Sequence, residues 1–254
     1  MKTVILAGGL GTRLSEETDA IPKALVKIGE KPILYYILNH YAKYKYKNFI
    51  ICGGYKLDQI KNFFINLESN SSDIIINYKT SKIKYLNKDN IDWNVSIINT
   101  GLNSQTGARI KKIKKFIHDD DFLLTYGDGL SNVNIKKLIT FHKKHNKIAT
   151  MTAVRPIARF GNITINGNKI VEFKEKDNLQ AGWINGGFFV LNKKIFNYID
   201  DDINCIFEKK PLEQLVSENQ LMAFKHEDFW HPMDTLRDKR ILDEMIINGK
   251  AKWL

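Results

Sequence analysis

The feature that most constrains the fold is the regular alternation of strand-like and helix-like segments over residues 1–145. Short apolar runs of strand length occur at Lys2–Leu6, Asn48–Cys52, Val95–Thr100 and Phe122–Tyr126. Apolar residues with helical spacing occur between and after these runs, at Lys31–Tyr46, Leu57–Asn66, Thr106–Ile117 and Ile135–His145. Such alternation is typical of βαβ units, whose parallel strands form a sheet with helices on both faces. We therefore predict an α/β fold with a doubly wound, mostly parallel sheet.

The pattern changes in the second half of the chain. Strand-like segments with few helices between them follow one another at Ile148–Arg155, Asn162–Ile165 and Lys169–Phe173. Asn166-Gly167 is a hairpin turn signal, so this region predicts a small antiparallel insertion in an otherwise Rossmann-like sheet. A strand at Trp183–Leu191 and a helix at Leu236–Asn248 return to the first pattern. Because there is no internal repeat or linker, residues 1–254 are expected to form one domain.

Composition excludes several classes of protein. Hydrophobic residues make up 43% of the 254 residues, which is too apolar for a disordered chain. No apolar run approaches the roughly 18 residues that span a bilayer, and the apolar N-terminal stretch runs into glycines and Arg13 too soon for a signal peptide. Cys52 and Cys205 lie far apart and lack the spacing of a metal site. We expect a cytoplasmic protein with no membrane partner.

The net charge is +11, from 39 Lys and Arg against 28 Asp and Glu. The basic cluster within Lys111–Lys115 could contact nucleic acid. Ile110 and Ile113 provide an apolar stripe beside it, however, so we favour a solvated helix face as the explanation of the cluster. With no nucleic-acid-binding module in the sequence, we expect no nucleic-acid partner and favour small anionic substrates.

A glycine-rich loop follows the first strand, where the carboxyl ends of parallel strands form ligand sites. It reads Leu6-Ala7-Gly8-Gly9-Leu10-Gly11-Thr12-Arg13-Leu14. Glycines allow backbone N–H groups to approach an oxyanion, and Arg13 adds a cationic fork suited to phosphate. The loop lacks the lysine of a P-loop, and Leu14 stands where a dinucleotide fingerprint requires its third glycine. A tight turn without a ligand is the alternative.

The loop is followed by Pro22-Lys23, with Lys23 ten residues beyond Arg13. Together these segments resemble the signature of the sugar-phosphate nucleotidyltransferases, which make nucleotide sugars. The resemblance implies the nucleotidyltransferase fold and a loop that holds a nucleoside triphosphate, with Arg13 and Lys23 on its phosphates. The nucleotide-binding residues that it implies in this part of the chain are Leu6, Ala7, Gly8, Gly9, Gly11, Thr12, Arg13 and Lys23.

Further segments resemble the cytidylyltransferase branch of that family. They are Asn99–Asn103, Thr106–Lys111, Thr125–Gly129, Ala158–Gly161, Gly182–Phe189 and Phe229–Asp238. This resemblance implies that CTP is a substrate and that Ser104 and Arg109 bind it, although Arg109 could instead cap surface charge. It also implies a nucleotide-binding part over about residues 1–130, an acceptor-binding part over about 148–235, and a possible homo-oligomer. Lys176 and Asn185 are the implied acceptor-binding residues.

The family reaction is attack by an acceptor phosphate oxygen on the α-phosphorus of CTP, which expels pyrophosphate. A phosphate monoester is largely dianionic at pH 7, since its second pKa is about 6, so no general base is needed. The site must instead supply alignment and positive charge. Arg13, Lys23 and Asp128 are the predicted catalytic residues. The resemblance implies Mg²⁺ held by Asp128 and Asp234, although a turn-forming role for Asp128 and a helix cap at Asp234 remain alternatives.

A regulatory subunit that has lost catalysis is a second hypothesis. It predicts loss of the charged set, yet Arg13, Lys23, Asp128 and Asp234 are all present.

The acceptor is the least constrained part of the prediction. The sequence departs from the glucose-1-phosphate pattern in four places, where it reads Pro22-Lys23-Ala24-Leu25, Thr106-Gly107-Ala108-Arg109, Glu175-Lys176-Asp177 and Phe229-Trp230-His231. The Asp177 carboxylate could pair with an α-ammonium group. The diverged form resembles cytidylyltransferases of capsular phosphoramidate synthesis, which implies L-glutamine phosphate as acceptor and CDP-L-glutamine as product. The alternative is neutral drift in a glucose-1-phosphate cytidylyltransferase that makes CDP-glucose for surface polysaccharide.

Overall fold

The computed structural model describes residues 1–87, 91–156, 162–174 and 182–254. The strands are β1 (Thr3–Ala7), β2 (Lys27–Ile28), β3 (Lys31–Pro32), β4 (Asn48–Gly53), β5 (Asp73–Asn77), β6 (Lys82–Leu86), β7 (Asn94–Asn99), β8 (Asp121–Tyr126), β9 (Gly129–Ser131), β10 (Ala149–Val154), β11 (Asn162–Asn166), β12 (Lys169–Lys174), β13 (Ile184–Asn192), β14 (Leu221–His226) and β15 (Trp230–Pro232). The α-helices are α1 (Ser15–Thr18), α2 (Ile33–Lys43), α3 (Leu57–Ile65), α4 (Leu67–Ser71), α5 (Thr106–Lys112), α6 (Ile135–His145), α7 (Lys210–Ser217) and α8 (Leu236–Ile247).

A seven-stranded sheet in the order β14-β10-β13-β8-β1-β4-β7 forms the centre of the described structure. Strand β13 runs antiparallel to both of its neighbours, and the remaining pairs are parallel. The predicted α/β, mostly parallel sheet is therefore confirmed. In the register of the sheet, Leu6 lies beside Cys52 on one side and Tyr126 on the other. The carboxyl ends of β1, β4 and β8 thus share one edge.

Both faces of the sheet are buried. In β8, Leu123 belongs to one apolar cluster and Leu124 to the other, because successive strand residues point to opposite faces. The first cluster includes apolar residues of α2, α6 and α8, and the second includes those of α5 and α7. Helix-covered strands of this kind are continuously apolar, which explains the short apolar runs in the sequence.

The predicted antiparallel insertion is present as the β11–β12 pair. Two predicted helices are shorter than their patterns: Lys31–Pro32 pairs with β2, so α2 begins at Ile33, and the segment from Thr106 changes to a 3₁₀ turn after Lys112. The β5–β6 hairpin, α7 and the edge strand β14 were not predicted. No helix in the described ranges is long and apolar enough to cross a membrane.

Candidate active site

A cavity of about 350 Å³ opens at the shared carboxyl edge of β1, β4 and β8. All the predicted nucleotide-binding residues line it, namely Leu6, Ala7, Gly8, Gly9, Gly11, Thr12, Arg13, Lys23, Ser104, Arg109 and Asp128. The fold therefore brings residues from four separate segments of the chain to one place. Their contacts with a nucleotide stay a prediction.

A second cavity of about 210 Å³ adjoins the first and shares Arg13, Tyr126 and Asp128 with it. Asn185 and Asp234 line this second cavity. After the substrates that the sequence resemblance implies for their lining residues, we call the first the nucleotide cavity and the second the acceptor cavity. Lys176, the other predicted acceptor residue, lies outside the described residues. Two adjoining cavities with a shared charged wall suit a reaction between two substrates.

Four charged side chains meet where the cavities join. Lys23 Nζ donates to Asp128 Oδ2 at 2.6 Å and to Asp234 Oδ1 at 2.6 Å, and Arg13 Nη1 donates to Asp234 Oδ2 at 2.8 Å. The Lys23 side chain is 13% exposed, whereas that of Arg13 is 73% exposed. Burial alone would lower the pKa of Lys23, but Asp128 and Asp234 outweigh it and the pKa is raised. Lys23 is thus a cation at neutral pH.

Short elements far apart in the sequence bring this cluster together. Lys23 lies in the 3₁₀ turn that follows Pro22, and Asp128 lies in the turn between β8 and β9. Asp234 follows β15, which pairs antiparallel with β9, and the Met233 N–H donates to the Asp128 carbonyl at 2.8 Å. The two carboxylates are therefore positioned by one small strand pair.

The alternative role of Asp234 as a helix cap is wrong. Thr235 caps α8: its hydroxyl accepts from the Asp238 N–H, and the Asp238 carboxylate accepts from the Thr235 N–H. This reciprocal arrangement is a capping box. The Asp234 carboxylate is left to accept from Lys23 and Arg13. Asp128 does lie in a turn, yet its carboxylate faces Lys23.

The position of Arg109 differs from one of the two roles that the sequence suggested for it. It is 4% exposed, so the alternative of capping surface charge is wrong. Its guanidinium donates to five oxygens, the carbonyls of Gly8, Gly53, Gly101 and Leu102 and the hydroxyl of Thr100, at 2.8–3.2 Å. A Cβ on Gly8 would lie 2.1 Å from Arg109 Nη1, so glycine is required there. Arg109 ties together the loops that follow β1, β4 and β7.

Ser104 has a similar role in the loop that follows β7. Its hydroxyl donates to the Thr100 carbonyl at 2.6 Å and accepts from Lys112 Nζ at 2.9 Å. Both hydroxyl contacts fix the cavity wall, as those of Arg109 do.

Four polar residues of the nucleotide cavity were not predicted from the sequence: Gln105, Thr106, Tyr126 and Glu208. Tyr126 and Thr106 each donate a hydroxyl hydrogen to the Glu208 carboxylate. Thr106 and Tyr126 lie inside segments that carried the family resemblance, which was the available signal. Glu208 precedes α7 in a segment without a motif, so only the fold places it here.

Comparison with known proteins decides the family. A family model described as Nucleotidyl transferase matches residues 2–238. The chain belongs to the nucleotidyl transferase family. It is 46% identical to the glucose-1-phosphate cytidylyltransferase of Salmonella typhimurium, over 100% of this chain and 98% of that protein. It is 38% identical to a probable glucose-1-phosphate cytidylyltransferase of Bacillus subtilis, over 100% of this chain and 99% of that one.

A solved structure gives the same result for this nucleotidyl transferase. HddC from Yersinia pseudotuberculosis superposes with a TM-score of 0.68 and 26% identity, covering 96% of this chain and 99% of that one. The fold implied by the sequence resemblance is thus confirmed, and the chain is a nucleotidyltransferase.

Proposed function

We propose that this nucleotidyltransferase is a glucose-1-phosphate cytidylyltransferase, which joins CTP and glucose 1-phosphate to give CDP-glucose and pyrophosphate. The observation that carries the proposal is the cluster of Lys23, Arg13, Asp128 and Asp234 at the junction of the two cavities. CTP would occupy the nucleotide cavity and the sugar phosphate the acceptor cavity. The α-phosphate would then lie at the charged junction.

The chemistry needs charge and alignment more than proton transfer. A phosphate oxygen of the acceptor forms a bond to the α-phosphorus while the bond to the β-phosphate oxygen breaks and pyrophosphate leaves. The attacking phosphate is already dianionic, so the two substrates repel each other. Lys23 and Arg13 reduce that repulsion and stabilise charge that develops in the transition state.

The carboxylates of Asp128 and Asp234 fit a magnesium ion. Each places one oxygen 2.6 Å from Lys23 Nζ, so the pair already surrounds a single cationic centre. Oxygen donors suit Mg²⁺, and two carboxylates leave several of its six positions for phosphate oxygens and water. When bound, the ion would neutralise phosphate charge and orient the triphosphate. Lys23 would then be free to turn towards the phosphates.

Glucose 1-phosphate replaces L-glutamine phosphate as the proposed acceptor because the similar proteins favour the alternative interpretation. The Salmonella typhimurium relative is a glucose-1-phosphate cytidylyltransferase, and the Bacillus subtilis relative is a probable glucose-1-phosphate cytidylyltransferase. The residue that favoured an amino-acid phosphate, Asp177, lies outside the described residues. CDP-glucose would serve as an activated sugar for polysaccharide synthesis.

The test is release of pyrophosphate from CTP and Mg²⁺ with glucose 1-phosphate and L-glutamine phosphate supplied in separate and competing reactions. We expect the specificity constant for glucose 1-phosphate to be at least tenfold higher. A tenfold preference for L-glutamine phosphate would overturn the proposed acceptor and leave the cytidylyltransferase activity intact. Comparable rates with UTP would overturn the proposed nucleotide, because a site that pairs with the cytosine amino group should reject uracil strongly.

Replacement of Asp128 by Asn tests the proposed metal site. The change keeps the shape of the side chain and removes one charge, so we expect turnover to fall at least a hundredfold, about 3 kcal/mol of transition-state stabilisation. The control is Asp120→Asn, which removes an exposed carboxylate paired with Lys193 at 2.7 Å, away from both cavities. Near-normal turnover of Asp128→Asn at limiting Mg²⁺ would contradict the assignment.

A further inference from the structure

Tyr126 forms the partition between the two cavities. It ends β8 and lines both cavities. Its ring packs directly on Gly187, where a Cβ would lie 2.7 Å from Tyr126 Cδ2. Gly187 also has a φ of +78°, which an L side chain rarely adopts. The ring is thus fixed in place by a residue of the acceptor side.

A chain of hydrogen bonds crosses this partition. Glu208 in the nucleotide cavity accepts from the Tyr126 hydroxyl, and the Tyr126 oxygen accepts from Asn185 Nδ2 in the acceptor cavity at 2.9 Å. Glu208 is itself held by the Thr106 hydroxyl, which donates to Oε2 at 2.5 Å and accepts from the Phe207 N–H at 2.9 Å. The chain therefore links side chains of the two cavities directly.

The direction of every bond in the chain is determined by Glu208. An ionised carboxylate accepts only, so the single hydroxyl proton of Tyr126 must point at it. The Tyr126 oxygen can then only accept from Asn185. Burial, reinforced by the Glu208 carboxylate, raises the pKa of Tyr126, so the hydroxyl keeps its proton at physiological pH.

The orientation of the Asn185 amide follows from this direction. Its Nδ2 faces Tyr126, and its Oδ1 accepts from the Gly187 N–H at 2.8 Å. An amide nitrogen carries two hydrogens, so one N–H remains for a ligand of the acceptor cavity. Such a donor suits a phosphate or hydroxyl oxygen. Without the carboxylate, Tyr126 could donate to Asn185 and the amide could turn to present its oxygen.

We propose that Glu208 is a positioning residue for the acceptor: it lies in the nucleotide cavity but acts through Tyr126 to hold the Asn185 amide with an N–H group towards the acceptor. The proposal rests on the proposed function, because it requires an acceptor in the second cavity. It predicts that a change in the nucleotide cavity alters the binding of the other substrate.

The experiment measures kcat and both Michaelis constants for Glu208→Leu, which leaves no side-chain oxygen to accept from the Tyr126 hydroxyl, and for Tyr126→Phe. The substrates are CTP and glucose 1-phosphate, or L-glutamine phosphate if the wild type prefers it. Each variant should raise the KM for the acceptor about tenfold, the loss expected for one oriented hydrogen bond, and change the KM for CTP less than twofold. The double variant should be no worse than Tyr126→Phe, since both act through one hydroxyl. Tyr198→Phe is the control, because it removes an exposed tyrosine–carboxylate bond, to Glu218 at 2.5 Å.

The role of Glu208 would be overturned by equal rises in both Michaelis constants, by a rise for CTP alone, or by additive effects in the double variant. If Tyr126→Phe fails to fold, Glu208→Leu decides alone, since leucine is close in size to glutamate and leaves the ring packing on Gly187 in place. A wild-type protein that releases no pyrophosphate from CTP with either acceptor would refute the proposed function and this inference with it. Activity with unchanged acceptor KM in the variants would refute the inference only.

Discussion

Replacing Lys23 by Met should increase the affinity of the nucleotide-free protein for a divalent metal ion while it abolishes most of the turnover. In the structure the Lys23 ammonium occupies the space between Asp128 and Asp234, 2.6 Å from an oxygen of each. A metal ion that binds the same two carboxylates must displace this internal cation. Methionine has a similar length and no charge, so it removes the competitor.

The magnitude follows from the geometry of the two carboxylates. Their oxygens lie no more than about 5 Å apart, and two like charges at that distance repel by about 3 kcal/mol at an effective dielectric constant of about 20. A bound metal ion relieves that repulsion in the variant, whereas Lys23 already relieves it in the wild type. Even half of this energy corresponds to about tenfold tighter metal binding. Turnover should fall at least a hundredfold because the cation that faces the phosphates is lost.

Metal affinity can be measured by titration of Mn²⁺ into the nucleotide-free protein by calorimetry, and turnover by release of pyrophosphate. Lys193→Met is the matched control, because it removes a lysine–aspartate pair that is exposed and remote from the cavities. Its Mn²⁺ affinity and turnover should equal those of the wild type. Weaker Mn²⁺ binding by Lys23→Met would refute the idea that lysine and metal compete for the same carboxylates.

Two further predictions concern buried polar groups. Arg109→Lys replaces a guanidinium that donates to five oxygens by an ammonium that can donate three hydrogen bonds. We therefore expect the free energy of unfolding to fall by roughly 2–4 kcal/mol and the KM for CTP to rise. Urea unfolding and steady-state kinetics measure the two effects. Full stability would contradict the loop-tying role. Burial lowers the pKa of His40 from 6.5 to about 4, so between pH 7.5 and 5 the unfolded chain takes up a proton that the folded chain does not. The contribution of neutral His40 to the free energy of unfolding is therefore present above pH 6.5 and is lost as the pH falls towards 4. The loss is about 2 kcal/mol at pH 5. His40→Gln should show a correspondingly shallower loss on acidification, and an unchanged slope would show that other groups are responsible.

Elements whose signals are local could be predicted from the amino-acid sequence. The strand before the glycine loop, the helix at Ile135–His145 and the loop with Arg13 could be predicted because a few neighbouring residues carry the pattern. The β5–β6 hairpin was missed because its residues are exposed on both faces, so no burial pattern marks it. Helix α7 and strand β14 were not predicted because β14 forms the edge of the sheet by pairing with β10, a strand far earlier in the chain.

The assembly of the site, in contrast, depends on contacts between segments that are distant in the chain. Asp128 and Asp234 meet because β15 pairs with β9, and pairing between strands that are far apart in the chain leaves no local signal. The orientation of Arg109 towards five loop oxygens depends on three strands that end side by side. Glu208 reaches the nucleotide cavity through the segment before α7, without any motif of its own. Residue types with the right chemistry can be recognised in a sequence, but their partners are set by contacts between segments that only the folded chain brings together.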